Sequence, residues 1–76
     1  MMAILRVHIY RIVDDDDQTK IVAIPEENVA DVLWTLDGEK IGEDKFVVDT
    51  EALLAVSTDK RWWSYNLERS MFYEDK

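Results

Sequence analysis

Residues 3 to 24 hold two apolar runs separated by four consecutive aspartates, an arrangement that leaves the chain few ways to begin folding. In Ala3 to Val13, Leu5, Val7 and Ile9 occupy alternate positions, with Ile4, Arg6, His8, Tyr10 and Ile12 between them. A period of two, rich in β-branched and aromatic residues, predicts a strand. Lys20 to Ile24 repeats the pattern over a shorter run and stops at Pro25, which has no N–H to give a ladder. Asp14 to Asp17, with Gln18 and Thr19, then form the loop of a hairpin.

From Pro25 the period changes. Val29, Val32, Leu33 and Leu36 follow the i, i+3, i+4, i+7 spacing of one helical stripe, flanked by Ala30 and Trp34. Proline suits the first turn, and Glu26 and Glu27 suit the positive end of the helix dipole. The helix is expected to run to Asp37-Gly38, where Gly38 can take the positive φ of a C-terminus.

Beyond it the signal weakens. Glu39 to Lys45 is polar, contains Gly42 and reads as a loop; Phe46-Val47-Val48 reads as a short strand. Residues 51 to 57 suit a strand or a short helix, since Glu51-Ala52-Leu53-Leu54-Ala55 favours helix while Leu54 and Val56 alternate. Alternation resumes in Arg61 to Leu67, with Trp63, Tyr65 and Leu67 expected in the core and Trp62 pointing away. The sum is one α+β domain over residues 1–76. It consists of an antiparallel sheet of four to five strands with one helix packed across one face, in the order β-β-α-β-β-β.

Charge and composition limit what such a domain can do. With 76 residues the chain can build one small core, and its 47% apolar content is enough to fold. The absence of cysteine excludes a disulfide scaffold and a thiolate zinc site and points to a reducing, cytoplasmic setting. No apolar run approaches the roughly 20 residues of a membrane span. A net charge of −8 opposes direct contact with nucleic acid or anionic lipid and favours a basic or neutral protein partner.

Candidate sites follow from the acidic and aromatic stretches. An EF-hand loop started at Asp15 would place Asp17 at its third position and Glu26 at its twelfth, but Lys20 would stand where the loop needs glycine. The calcium-loop match therefore fails, leaving at most a weak, adventitious divalent site, and no cofactor is implied. A turn needs one or two aspartates, so the surplus suggests a surface for a basic partner. Asp14, Asp15, Asp16 and Asp17, together with Glu27, Asp31, Glu43 and Asp44, form the acidic candidate set. Trp62, Phe72 and Tyr73 form the aromatic set, on the expectation that residues 71 to 73 follow Trp62 into an exposed apolar patch.

Arg6, His8 and Tyr10 share a strand face, but a lone histidine without a partner carboxylate or pocket does not make a catalytic site. No phosphate loop or nucleophile motif is present, and no enzymatic activity is expected.

The expected function is a small acidic protein-binding module that acts by occupying a surface. In size and charge it resembles small phage and mobile-element proteins that inhibit nucleic-acid enzymes by imitating the phosphate backbone. The alternative is a structural subunit whose C-terminal aromatics pair with a second copy or a neighbouring protein, with no inhibitory role.

Overall fold

The computed structural model of the chain describes residues 2–49, 54–56 and 64–74, with side chains described for 2–49 and 64–74. Strands β1 (Met2–Val13) and β2 (Thr19–Pro25) form the expected hairpin. A single 3-10 turn over Glu26–Asn28 leads into helix α1 (Val29–Leu33). Then come β3 (Gly38–Asp49), β4 (Leu54–Val56), β5 (Ser64–Asn66) and β6 (Met71–Tyr73). The α+β class and antiparallel sheet are as expected, and the sheet has six strands in the order β4-β3-β1-β2-β6-β5.

The sheet curls. Phe46 on β3 and Phe72 on β6 are three strand steps apart, about 14 Å in a flat sheet at the usual spacing. Their rings nevertheless meet edge to face with centroids 5.3 Å apart. The edge strands β4 and β5 also approach one another. The result is a partly closed barrel, whose concave side buries Val7, Ile9, Ala23, Phe46 and Phe72. A second cluster lies on the convex side, where Val32 and Leu36 close over Tyr10, Ile12, Val22, Ile24 and Met71. Both faces of β2 are therefore covered from Val22 to Pro25, which is why this strand is apolar at every position from Ile21 to Pro25.

Four expectations are corrected here. Glu39 to Lys45 is strand and not loop: it lies in the first half of β3 and pairs with β1 from Arg11 back to Arg6. Among the described residues β4 covers β3 at Val47 to Asp49 and nothing pairs with the outer side of the first half, so this half is an edge there, and the charges of Glu39, Lys40, Glu43 and Lys45 are those that keep an edge from pairing with another chain. A bulge at Ile41, where the register slips between Ile9 and Tyr10, bends it further.

The helix is shorter than its apolar stripe. Asn28 lies near φ −103, ψ −4, no side chain caps the start, and Thr35 returns its hydroxyl to the Val32 carbonyl at 3.1 Å. Five residues cannot hold a helix unaided, so the burial of Val32 and Leu36 holds it.

Gly38 adopts no positive φ. It opens β3 opposite Ile12, and a Cβ there would stand 2.9 Å from Leu33 Cδ2 and 3.1 Å from Ile12 Cγ2. Close approach of helix and sheet, not a C-cap, is what requires glycine.

Leu67, expected in the core, is 68% exposed, because it begins the four-residue turn between β5 and β6. Tyr65 is packed as expected, with its ring 4.6 Å from that of Phe72. Trp63 lies outside the described residues, as do residues 51–53 and 57. Leu54–Val56 is strand.

Candidate interaction surface

The β1–β2 loop shows why aspartate recurs there. The Asp14 carbonyl accepts from the Asp17 amide at 3.0 Å, closing a turn over Asp14 to Asp17, and the Asp14 amide donates to the Gln18 carbonyl at 2.9 Å. The Asp14 carboxylate takes the amides of Asp16 at 2.9 Å and Gln18 at 3.0 Å through Oδ1. Its Oδ2 meets Lys20 Nζ at 2.6 Å. Only 8% of the Asp14 side chain is exposed, and its pKa is held below the ordinary 3.8 by the Lys20 ammonium first and the loop amides next. Asp17 sits at φ 59, a left-handed conformation that aspartate tolerates better than most residues.

Asp15 is occupied as well. Its carboxylate is paired with the Arg69 guanidinium, which raises the Arg69 pKa and ties the β1–β2 loop to the β5–β6 turn. Asn66 Oδ1 accepts the Arg69 amide at 3.1 Å and fixes that turn. Half of the aspartate run is thus committed to the fold. Asp16 and Asp17 are exposed and carry no ion pair among the described residues.

Helix α1 brings up the other wall. Trp34, in the turn after the helix, is 89% exposed, and it lines a depression of about 280 Å³ with Val13, Asp14, Asp15, Asp17, Leu33, Asp37 and the Thr35–Leu36 segment. Thr35 and Leu36 also border a second hollow, lined by Asn28, Asp31, Val32, Glu68, Arg69 and Ser70. Asp31 therefore joins the aspartate loop on one end of the barrel, together with Asp37 and Glu68.

The remaining candidates lie elsewhere. Glu43 pairs in register with His8, about 17 Å along β1 from the hairpin end. It bonds Lys40 Nζ at 2.8 Å, which lowers its pKa, and lies 3.9 Å from His8 Nδ1. Asp44 accepts from the Lys45 amide at 2.8 Å. Glu27, exposed on the 3-10 turn, neighbours Ile4, Leu5 and Arg6. Tyr10 is buried in the convex cluster, so Arg6, His8 and Tyr10 make no polar patch.

The aromatic set is also rearranged. Phe72, expected at an exposed patch, is 2% exposed and lies between Phe46 and Tyr65; Met71 is buried too. Phe72 packs into the concave cluster and Met71 into the convex one, so neither face of β6 is open to solvent at these residues. Tyr73 is half-buried beneath Lys20, whose Nζ is 5.5 Å from the ring centre. Trp62 lies outside the described residues.

Among the described residues the exposed aromatic at this end is Trp34, which flanks the helical stripe. Its signal was present: at about 100° per residue it stands about 200° around the axis from both Val32 and Leu36.

Among the described residues no three carboxylate or imidazole side chains converge as a metal site requires, and no helix is long and apolar enough to cross a membrane. Comparison with protein-family models, curated proteins and solved structures finds no match.

Proposed function

We propose that the chain is a cytoplasmic protein-binding module that works by covering a basic surface on another protein, with no chemistry of its own. The observation that carries this reading is Trp34, 89% exposed at a depression that Asp14, Asp15, Asp17 and Asp37 also line. An exposed indole amid carboxylates suits contact: the ring supplies buried area and the charges steer a cationic partner.

A protein surface that takes this end is basic, and basic grooves commonly hold nucleic acid. The reading therefore extends to inhibition of a nucleic-acid-processing enzyme by charge mimicry, with Asp16, Asp17, Asp31, Asp37 and Glu68 in place of phosphates. The subunit alternative has less support, since Phe72, one of its aromatic anchors, is in the core.

The test is capture from the lysate of the host by the immobilised full chain. The expected result is a nucleic-acid enzyme retained at low salt, released by added duplex DNA, and not retained by a chain carrying Asp16→Asn, Asp17→Asn and Asp37→Asn. Retention indifferent to DNA removes the mimicry, and retention indifferent to the substitutions removes the surface.

A further inference from the structure

We infer that the free edge of β1 at Ile4 to Arg6 is a docking site for an extended segment of a partner protein, which adds a strand where β2 stops. The site is separate from the Trp34 end, since Ile4 and Val13 are about 30 Å apart along β1. β2 pairs with β1 only as far back as Val7↔Pro25, and the chain then leaves the strand in the turn Glu26–Asn28. At the hairpin end the Asp14 amide donates to the Gln18 carbonyl at 2.9 Å, whereas the Val13 amide turns the other way, to the Asp37 carbonyl at 3.3 Å. This alternation continues along an antiparallel strand, so Ile4 and Arg6, like Asp14, turn their N–H and C=O groups toward the β2 side. Among the described residues no backbone group meets them there.

Two hollows flank this edge, and Ile4, Leu5 and Glu27 border both. One, of about 240 Å³, is predominantly apolar and reaches Pro25, Val48, Tyr65 and Phe72 at the mouth of the barrel. The other is more open and is completed by Arg6 and Glu26. Leu5 packs against the concave cluster, and Ile4 and Arg6 stand on the opposite face. An added strand sends successive side chains to opposite faces, so its residues meet the two hollows in turn while its backbone bonds Ile4 and Arg6. A purely apolar small ligand would fill the deeper hollow but leave those backbone groups without partners.

Glu26 and Glu27 are exposed, carry no ion pair among the described residues and outnumber Arg6. The segment therefore has apolar side chains at alternate positions and a basic residue beside this turn. The same charges oppose a second copy, whose own Glu26 and Glu27 would be brought to the same junction.

The test is amide hydrogen exchange and NMR titration of the full chain with a capped heptapeptide that alternates valine with threonine and carries lysine at both ends. In the free chain the Ile4 and Arg6 amides should exchange at least about tenfold faster than those of His8 and Tyr10, which face β2. The peptide should slow them and shift the resonances of Leu5 and Phe72. N-methylation of the peptide at one set of alternate residues should abolish binding, and at the other set should leave it. Glu26→Gln with Glu27→Gln, both on the surface, should weaken binding about threefold to tenfold. Protection of Ile4 and Arg6 in the free chain at every concentration means that the chain itself covers the edge, and overturns the proposal. Protection that appears only as chain concentration rises assigns the edge to a second copy and overturns the partner. Absence of binding, or equal binding by both methylated peptides, overturns it as well.

Discussion

Exchanging the roles of two aromatic residues tests the packing on which every later step depends. Phe72 was expected to be exposed and is 2% exposed, and Trp34, placed beside the core stripe, is 89% exposed. Phe72 meets Phe46 at 5.3 Å and Tyr65 at 4.6 Å between ring centres. Truncating a buried phenylalanine to alanine costs about 3–5 kcal/mol, and each lost ring pair accounts for roughly 0.5–1.5 kcal/mol beyond area. A domain of this size has about 4–11 kcal/mol in total, so Phe72→Ala should lose about half its stability or fail to fold at ambient temperature.

Phe72→Leu keeps most of the volume and should cost roughly 1–1.5 kcal/mol, lowering Tm by about 4–12 °C. Trp34→Ala should stay within about 0.5 kcal/mol of the parent. Urea unfolding followed by near-ultraviolet circular dichroism gives all three values. The reasoning is refuted if Phe72→Ala lies within about 1 kcal/mol of the parent, or if Trp34→Ala costs more than Phe72→Leu.

Two glycines should respond with opposite sign. Gly38→Ala drives a Cβ against Leu33 and Ile12 and should destabilise by about 1–3 kcal/mol. Gly42→Ala meets nothing closer than 4.0 Å and should be neutral or stabilising by a few tenths of a kcal/mol, as read by thermal unfolding. The Asp14–Lys20 pair should appear in the pH profile. The folded pKa of Asp14 is depressed below 3.8, so its stabilising effect is present above that pH and is lost as pH falls through the folded value. The Lys20 pKa is raised above 10.5, so its effect is present below that pH and is lost as pH rises through the folded value. Asp14→Asn can keep the loop amide bonds, and should flatten both limbs of a pH–Tm curve while leaving the hairpin formed.

The first hairpin and the helical stripe were legible because each displays an uninterrupted period, two in Ala3 to Val13 and near 3.6 from Val29 to Leu36. β3 was not, because its first half is a charged edge whose outward residues mask the alternation. The aspartate run was legible as a loop with surplus charge. Its division into Asp14 and Asp15, held by Lys20 and Arg69, and Asp16 and Asp17, left to solvent, depends on Arg69 being brought from 54 residues away. Phe72 was misplaced for a related reason: Met71-Phe72-Tyr73 carries no period, and both buried members of this run depend on a sheet that curls around them.

The central claim is that the Trp34 end of the barrel binds a basic protein surface. Its most direct test is equilibrium binding of the captured enzyme to the parent chain and to the Asp16→Asn, Asp17→Asn, Asp37→Asn chain across a salt series. The account predicts parent affinity that falls steadily as salt rises, and a variant that binds more weakly at low salt and responds to salt with a shallower slope. Equal affinity and equal slope for the two chains would contradict it.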